Sequence, residues 1–306
     1  MNGSANWLAS AATALLLTAG LSLDSTPRAA AAQALPDAEV EGLQMPAWLT
    51  RDGKKMPLTL GERLKNGDSI STGTGSRVLL RLTEGSVVKL GENARFTVND
   101  MARDRDGERE RFKATLGVAR GAFRFTTSPE SKKKTTRNID VSFPSVTAEV
   151  RGTDLWGKAA DDKQVVALVE GEINVRPKGG APIQLKEERT VYIMPADAPP
   201  PPTFKITLAQ LNGFAQETEM QPGSGVVGRG GNYKVYAART ANKDEAIATY
   251  NRLTDAGYAA AIQPAFYQGK QIYQVRIMGF LSEADGVAVA VKLRVELGLQ
   301  DVHVSL

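Results

Sequence analysis

A chain of 306 residues with 42% hydrophobic and 24% charged side chains has the composition of ordinary globular protein and is long enough for two domains. It has no cysteine and a single histidine, His303, which excludes disulfides, thiolate metal sites and cysteine nucleophiles, and disfavours a Ser-His-Asp triad or a multi-histidine metal site. The net charge of +4 is small for this length and does not by itself indicate nucleic-acid binding.

The first predicted element is an uncharged apolar run from Trp7 to Leu23, followed by an alanine-rich stretch. The run is short for a membrane span, and no Lys or Arg precedes it. Ala30-Ala31-Ala32 offers the small-residue pattern of a signal-peptide cleavage site. We therefore expect residues 1–34 to be a cleaved export signal or an uncleaved N-terminal anchor, and the rest of the chain to lie in the periplasm or cell envelope.

Residues 42–195 have a β texture. Short runs such as Arg77 to Leu82 and Val165 to Val169 alternate apolar and polar side chains, and glycine turns such as Glu84-Gly85 separate them. Many short strands without a long helical period predict an all-β sandwich, roll or short solenoid. Two charged insertions, Ala102 to Lys113 and Glu130 to Arg137, are expected to be solvated loops.

Residues 196–232 change in composition. A proline run, Pro199 to Pro202, precedes a possible short helix over Phe204 to Met220, and a glycine-rich stretch follows. We interpret this segment as an interdomain linker, stiff at one end and flexible at the other. It contains Gly223-Ser224-Gly225-Val226-Val227-Gly228, which matches G-x-G-x-x-G; dinucleotide binding would need a strand before it and a helix after it, so we interpret the match as chance.

From residue 233 the pattern changes to clear alternation of strands and helices. The predicted order β-α-β-β-α-β is typical of a ferredoxin-like domain, in which both helices cover one face of a four-stranded antiparallel sheet and leave the other open. The predicted elements are strand Tyr233 to Ala238, helix Asn242 to Ala256, strands Ala259 to Gln263 and Gln271 to Met278, helix Ser282 to Leu297 and strand Val302 to Ser305.

Both helices carry end signals. Asn242 is the predicted N-cap of the first, with Glu245 completing a capping box, and Ser282 caps the second, which Gly298 ends. The predicted inward stripes are Ile247, Tyr250 and Leu253 on the first helix, and Ala284, Val287, Ala288, Val291 and Val295 on the second.

Residues 233–306 resemble the SPOR domain family. The resemblance rests on Tyr233-Lys-Val-Tyr-Ala-Ala in the first strand and on Ile272-Tyr-Gln-Val-Arg-Ile-Met-Gly-Phe280 in the third. The sequence departs from the family at Tyr236, where glutamine is common, and at Met278-Gly279, where the family has Gly-Pro. The resemblance implies binding of peptidoglycan, especially denuded glycan strands that have lost their stem peptides.

The middle of the chain, about Gly61 to Ile193, resembles the FecR-type periplasmic domain. The matching segments are Gly67-Asp-Ser-Ile-Ser-Thr-Gly73, Phe143-Pro-Ser-Val-Thr-Ala-Glu-Val-Arg-Gly-Thr153 and Val169-Glu-Gly-Glu-Ile-Asn-Val175. Their glycines and Asp68 suit turns, whereas Arg151 is either a buried organising charge or a contact residue. The resemblance implies a spacer or protein-docking module, or an envelope-signalling module.

Strand alternation separates the two faces of the C-terminal sheet. Val235, Ala237, Tyr273, Val275 and Ile277 share the parity that packs on the helices. The opposite parity gives the candidate glycan-binding residues, which are Lys234, Tyr236, Ile272, Gln274 and Arg276. Gln263 and His303 are additional candidates.

Each candidate has a chemistry that suits sugar. Tyr236 can cover the apolar C–H surface of a pyranose, and the Gln274 amide can both donate to and accept from hydroxyl and N-acetyl groups. Lys234 or Arg276 can pair with the lactyl carboxylate of muramic acid, which is exposed once the stem peptide is gone.

The sequence favours a non-enzymatic, α+β multidomain envelope protein that binds peptidoglycan, without cofactor, metal or nucleic acid, and with membrane contact only through an uncleaved N-terminal segment. The acidic pairs Asp104/Asp106 and Asp161/Asp162 lie in charged stretches without an apolar pocket to raise a pKa, which disfavours an enzyme. The alternative is a FecR-type signalling protein that senses through protein contacts. Such a relay needs a cytoplasmic segment before the membrane helix, and we expect Met1 to Asn6 to be too short for one.

Overall fold

The computed structural model describes residues 38–106, 109–128 and 135–306. The apolar run Trp7 to Leu23, and with it the expected export signal or anchor, lies outside these ranges. None of the helices in the described ranges is both long enough and apolar enough to cross a bilayer.

The described residues between 38 and 195 form strands joined by turns. The strands are β1 (Ala38–Gln44), β2 (Ala47–Arg51), β3 (Lys54–Pro57), β4 (Arg63–Leu64), β5 (Ser69–Thr72), β6 (Arg77–Leu82), β7 (Val87–Leu90), β8 (Arg95–Asp106), β9 (Arg109–Thr126), β10 (Thr135–Ser142), β11 (Val146–Val150), β12 (Asp154–Ala159), β13 (Lys163–Glu170), β14 (Ile173–Pro177), β15 (Ile183–Leu185) and β16 (Thr190–Pro195).

These strands form two sheets. The first sheet has the order β16–β13–β12–β9–β7–β6–β1 and the second β3–β2–β5–β8–β9–β10–β11–β14–β15; the pairing is antiparallel except between β9 and β10. Apolar side chains of both sheets form one core, in which Phe96 of the second sheet stacks on Phe123 of the first with ring centroids 6.1 Å apart. The all-β prediction is confirmed, and of its three alternatives the arrangement is a sandwich.

Strand β9 belongs to both sheets. Residues 109–120 pair with β8 and residues 121–126 with β7 and β12. The crossing point is Gly121, which has φ +85°, and a Cβ there would lie 2.5 Å from the Cα of Ala94. Only glycine fits, because both the backbone conformation and the close approach exclude a side chain.

The expectation that Ala102 to Lys113 is a solvated loop is wrong. Its described residues extend β8 and β9 into a hairpin in which Asp104 lies opposite Arg111, and Phe112 is buried in the core. Opposite charges that face each other across a strand pair stabilise the pairing, so this charge pattern supports the hairpin. Of the second insertion, residues 135–137 begin β10, and residues 130–134 lie outside the described ranges.

The C-terminal elements are β19 (Tyr233–Thr240), α2 (Lys243–Asp255), β20 (Ala260–Tyr267), β21 (Lys270–Phe280), α3 (Glu283–Leu297) and β22 (His303–Ser305). They form an antiparallel sheet, here called the C-terminal sheet, with the order β20–β21–β19–β22. Leu253 of α2 and Val289 of α3 pack into one core with Val235 and Val275, so both helices cover the same sheet face. The predicted ferredoxin-like fold is confirmed.

The predicted helix faces are wrong in part. Leu253 is buried as expected, but Ile247 of α2 is 38% exposed, and Ala246 and Thr249 are buried instead. On α3 the predicted stripe points outward, leaving Val287, Val291 and Val295 exposed. The buried side of α3 consists of Asp285, Gly286, Val289, Ala290 and Leu293.

The reason for the α3 error is close packing by a small residue. A Cβ added at Gly286 would lie 2.7 Å from Val304 of β22, so the helix can approach the sheet only along its glycine side. The exposed valines on the opposite side repeat with the helical period of 3.6 residues, so they were predicted to be the buried face in place of the small residues.

The helix ends follow the predictions except at one residue. The Asn242 side chain accepts from the backbone N–H groups of Asp244 and Glu245, at 2.9 and 3.3 Å, and Gly298 ends α3 with φ 59°. The Glu245 carboxylate accepts from the Thr240 hydroxyl at 2.6 Å rather than from the N-cap backbone, so the predicted capping box does not form.

Residues 196–232 contain β17 (Phe204–Lys205), α1 (Leu208–Gln216) and β18 (Val226–Gly228). β17 adds to the edge of the first sheet beside β16. The Phe214 ring of α1 stacks on Trp156 at 4.3 Å between centroids. Because Leu155, its neighbour in β12, is in the main core, Trp156 lies on the outer face of the first sheet, and α1 covers it.

Ion pairs attach the residues that follow α1 to the first sheet. The Glu219 carboxylate accepts from Lys89 at 2.5 Å and from Arg124 at 3.1 Å, and Glu217 accepts from Lys158 at 2.7 Å. The segment that composition suggested to be a linker is therefore bonded to the first sheet along much of its length. The domain boundaries 42–195, 196–232 and 233–306 stay predictions.

β18 connects the sandwich to the C-terminal sheet. Leu43 of β1 pairs with Val227, and Val227 also pairs with Phe280 of β21. The buried Asp285 carboxylate holds this strand, because its Oδ1 accepts from the backbone N–H groups of Gly223, Gly225 and Val226 at 2.8, 3.1 and 2.9 Å. The glycine-rich motif thus wraps around a carboxylate of the protein itself.

A second contact lies at the end of α2. The indole N–H of Trp48 donates to the Asp255 carbonyl at 3.2 Å, and the Ala47 N–H donates to the Gly257 carbonyl at 3.1 Å. Gly257 has φ +83°, and a Cβ there would lie 2.6 Å from the Trp48 ring. Together with β18, this contact packs the SPOR-like region directly against the sandwich.

We expect Asp285→Asn to lower the free energy of unfolding by about 2 kcal/mol at neutral pH, because a charged acceptor for three backbone donors is lost. Burial raises the pKa of Asp285, but hydrogen bonds from Ser282, Val226, Gly225 and Gly223 outweigh it and hold that pKa below its usual value. The stabilisation is therefore complete above the carboxyl pKa of the unfolded chain and is lost as pH falls through the lower folded pKa.

Urea unfolding at several pH values measures this difference. Glu283→Gln, at an exposed position in the same first turn, is the matched control and should change little. Equal stability of the two variants at neutral pH would show that the Asp285 contact is not a stabilising one.

We expect Phe214→Ala to shift the tryptophan fluorescence to longer wavelength, because Trp156, only 2% exposed, then meets water. The lost ring contact should also cost about 1 kcal/mol of stability. Leu208→Ala removes an exposed side chain from the same helix. This variant is the control and should leave the tryptophan emission wavelength unchanged. An unshifted Phe214→Ala spectrum would contradict the described position of α1.

Candidate functional site

The open face of the C-terminal sheet, the one turned away from α2 and α3, holds all five predicted candidates. Tyr236 pairs with Arg276 in the ladder between β19 and β21, and Gln274 and Ile272 follow at alternate positions along β21. Lys234 precedes Tyr236 by two residues on β19. We call this surface, with the residues of β20 and β22 that share its parity, the open face.

A β-bulge adds a residue that alternation missed. Tyr236 pairs with Arg276 and Ala238 with Val275, so Ala237 is an extra residue in β19. The bulge reverses the parity of the strand beyond it and places Arg239 opposite Gln274, on the open face. Regular alternation from Lys234 would have turned Arg239 towards the helices.

The Tyr236 ring is largely covered by protein. His303 of β22 stacks on it with centroids 5.0 Å apart and planes 6° from parallel, and the Arg239 guanidinium carbon lies 4.4 Å from the ring centroid. Tyr236 is 8% exposed. Little ring surface is left for a sugar, because the ring contacts Arg239 and His303 instead.

The open face is positively charged. Lys234, Arg239, Lys270 and Arg276 lie on it, and its strand positions hold no Asp or Glu. None of these four cations forms an ion pair with any carboxylate in the described part of the chain. Uncompensated positive charge on one face favours an anionic ligand.

Two buried nitrogens on this face lack hydrogen-bond partners. They are Nε of Arg276 and Nε2 of His303, which flank Tyr236 in the ladder, and neither meets an acceptor among the described residues. A buried polar group without a partner costs stability, and both of these nitrogens are closed off from solvent by the protein around them. Gln274 and, opposite it on β20, Gln263 add amide donors and acceptors beside them.

The sandwich offers a second concave surface. A cleft of about 380 Å³ lies where β6, β9 and β12 meet the end of α1, and it is lined by Arg77, Glu92, Arg120, Lys158, Asp161 and Glu217 among others. Burial lowers the pKa of Arg77, while Glu92 and Glu217 act in the opposite direction. The side chain of Arg151 is exposed, so it is not a buried organising charge.

Of the two acidic pairs that the sequence placed in turns or charged loops, Asp161 and Asp162 lie as predicted, whereas Asp104 does not. Asp104 lies in strand β8 rather than in a loop, and Asp161 and Asp162 are exposed at the turn between β12 and β13. Asp161 pairs with Arg120 at 3.3 Å. No group of three or more metal-ligating side chains is found in the described ranges.

Two segments of the chain match the models of known protein families. Residues 68–174 match the family model described as FecR protein, and residues 229–305 match that of the SPOR domain. No curated protein matches the sequence.

Two solved structures align with parts of this chain. Both are crystal structures described as candidate anti-sigma factors from Parabacteroides distasonis, 15% and 14% identical, each with a TM-score of 0.38. The first alignment covers 48% of this chain and 64% of the other, so this chain spans less than two thirds of that structure; the second covers 74% and 91%. The protein thus carries a FecR-type segment followed by a SPOR domain, and the open face belongs to the latter.

Proposed function

We propose that this protein is a non-enzymatic component of the cell envelope that binds denuded peptidoglycan glycan strands on the open face of its SPOR domain. The observation that carries the proposal is the charge of that face, which has four unpaired cations and no carboxylate. The match to the SPOR family, whose members bind peptidoglycan, supports the same conclusion.

The chemistry of a denuded strand fits this face. Removal of the stem peptide leaves a lactyl carboxylate on each muramic acid, which Arg276 and Lys234 can bind through charge-assisted hydrogen bonds. Gln274 can bind hydroxyl and N-acetyl groups, and Ile272 offers apolar surface to a sugar ring. Arg239, held against Tyr236, adds a cation that the sequence alone did not indicate.

Export is part of the proposal, because peptidoglycan lies outside the cytoplasm. The apolar run Trp7 to Leu23 and the alanines behind it are its sequence support, as a cleaved signal or as an anchor. We propose that the FecR-type sandwich acts as a spacer or as a docking module for other envelope proteins.

A signalling role is the second candidate. The direct pairing of β18 with both β1 and β21 favours it, because the SPOR sheet and the sandwich are then joined by a shared strand rather than by a free linker. The cleft lined by Arg77 and Glu217 is a place where a protein partner of the FecR-type region could contact the chain.

We expect Lys234→Gln and Arg276→Gln each to weaken binding of the whole chain to amidase-treated sacculi about tenfold, or about 1.4 kcal/mol. The loss should shrink as salt is added, because the contact is ionic. Co-sedimentation at low and high salt measures both effects.

Lys243→Gln is the matched control. It removes the same charge from an exposed position on α2 and should leave binding unchanged. If Lys243→Gln weakens binding as much as Lys234→Gln, the attraction comes from net charge and not from the open face. If the unaltered protein ignores denuded glycan, the proposed function is wrong.

A further inference from the structure

The hairpin between β20 and β21 ends in two exposed aromatic side chains. Phe266 is 80% exposed and Tyr267 is 63% exposed. The turn residues Gln268 and Gly269 have φ values of 47° and 76°, which is the pattern of a tight two-residue turn of type I′. The aromatic pair therefore lies at the end of a hairpin whose strands are paired up to this turn.

The ladder assigns the two rings to opposite faces. The pairing of β20 with β21 runs from Ala260–Ile277 to Tyr267–Lys270 without a bulge, so the alternation of side chains is unbroken. Tyr267 and Lys270 therefore share the parity of Gln274 and Arg276, whereas Phe266 has the parity of the helix side.

Stacking on a sugar requires an accessible aromatic ring, and Tyr236 does not offer one. Tyr236 is covered by His303 and Arg239, so it offers little surface for stacking. Tyr267 is the accessible aromatic side chain at an open-face position among the described strands of this sheet. Its hydroxyl can bond to a sugar while the ring covers apolar C–H groups.

The spacing of the cations along β21 indicates how long a ligand must be to contact both ends of the face. Lys270 and Arg276 are six positions apart along β21, which corresponds to about 20 Å of antiparallel strand. A disaccharide does not span this distance, whereas a longer glycan can contact both ends. Lys270, which lies opposite Tyr267 and is exposed, can meet a muramic carboxylate at the distal end.

We propose that Tyr267 is the stacking platform at the distal end of the glycan site, and that with Lys270 it makes the site select strands longer than a disaccharide. This inference rests on the proposed function, since it extends the same face along β21. It assigns to the hairpin tip a role that Phe266, on the opposite parity, does not share.

The test compares denuded glycan fragments of two lengths, a disaccharide and an octasaccharide, with the whole chain. Tyr267→Ala should weaken binding of the longer fragment about tenfold, as the loss of an aromatic stacking partner does elsewhere, and should leave the weaker binding of the disaccharide unchanged. Tyr267→Phe should keep most of the affinity, because it keeps the ring. Phe266→Ala, next to it, should bind both fragments like the unaltered protein.

Thermal unfolding checks that each variant is folded. We expect all three to fold, because both side chains are exposed. Normal binding of the longer fragment by Tyr267→Ala would overturn the inference, as would an equal loss on both fragments or a larger loss for Phe266→Ala. If the unaltered protein bound neither fragment, the proposed function itself would fail, and this inference with it.

Discussion

The junction between the sandwich and the C-terminal sheet is built around the carboxylate of Asp285. A glycine-rich segment cannot fill a core, and its backbone N–H groups need acceptors when they are buried. Asp285 supplies one acceptor to three of them, and the segment then continues as β18 between β1 and β21. Because of this contact, the orientation of the open face is set by the sandwich and not by a free linker.

The two faces of the SPOR sheet differ in what they contact, and this follows from the same geometry. Packing on the sandwich uses the ends of α2 and α3, at Gly257 and Asp285, and leaves the open face on the other side of the sheet. In residues 233–306 the carboxylates lie on the helices and in loops, whereas the strand positions of the open face carry four cations. A face built in this way has the charge that suits an anionic ligand.

The sequence predicted those features that depend on local chemistry. Ser282 and Gly298 define the ends of α3, because caps are decided by a few neighbouring residues. The buried face of α3 was not predictable from the valine pattern, since Gly286 decides it by its contact with Val304. Arg239 was missed because a bulge depends on the pairing of two strands, which composition does not reveal. The contacts of residues 196–232 were missed for a similar reason, as their partners are distant in sequence.

The pairing of β1 with β18 has a consequence for folding. β1 is the first strand of the sandwich, yet the edge from Gly42 to Gln44 meets its partner only when residues 226–228 have been made. Until then the strand presents unpaired N–H and C=O groups, which other chains can bind. Contacts between such distant residues also form slowly. A chain that ends before residue 226 would therefore keep an unpaired strand edge that favours aggregation. In the full chain, β18 pairs with this edge.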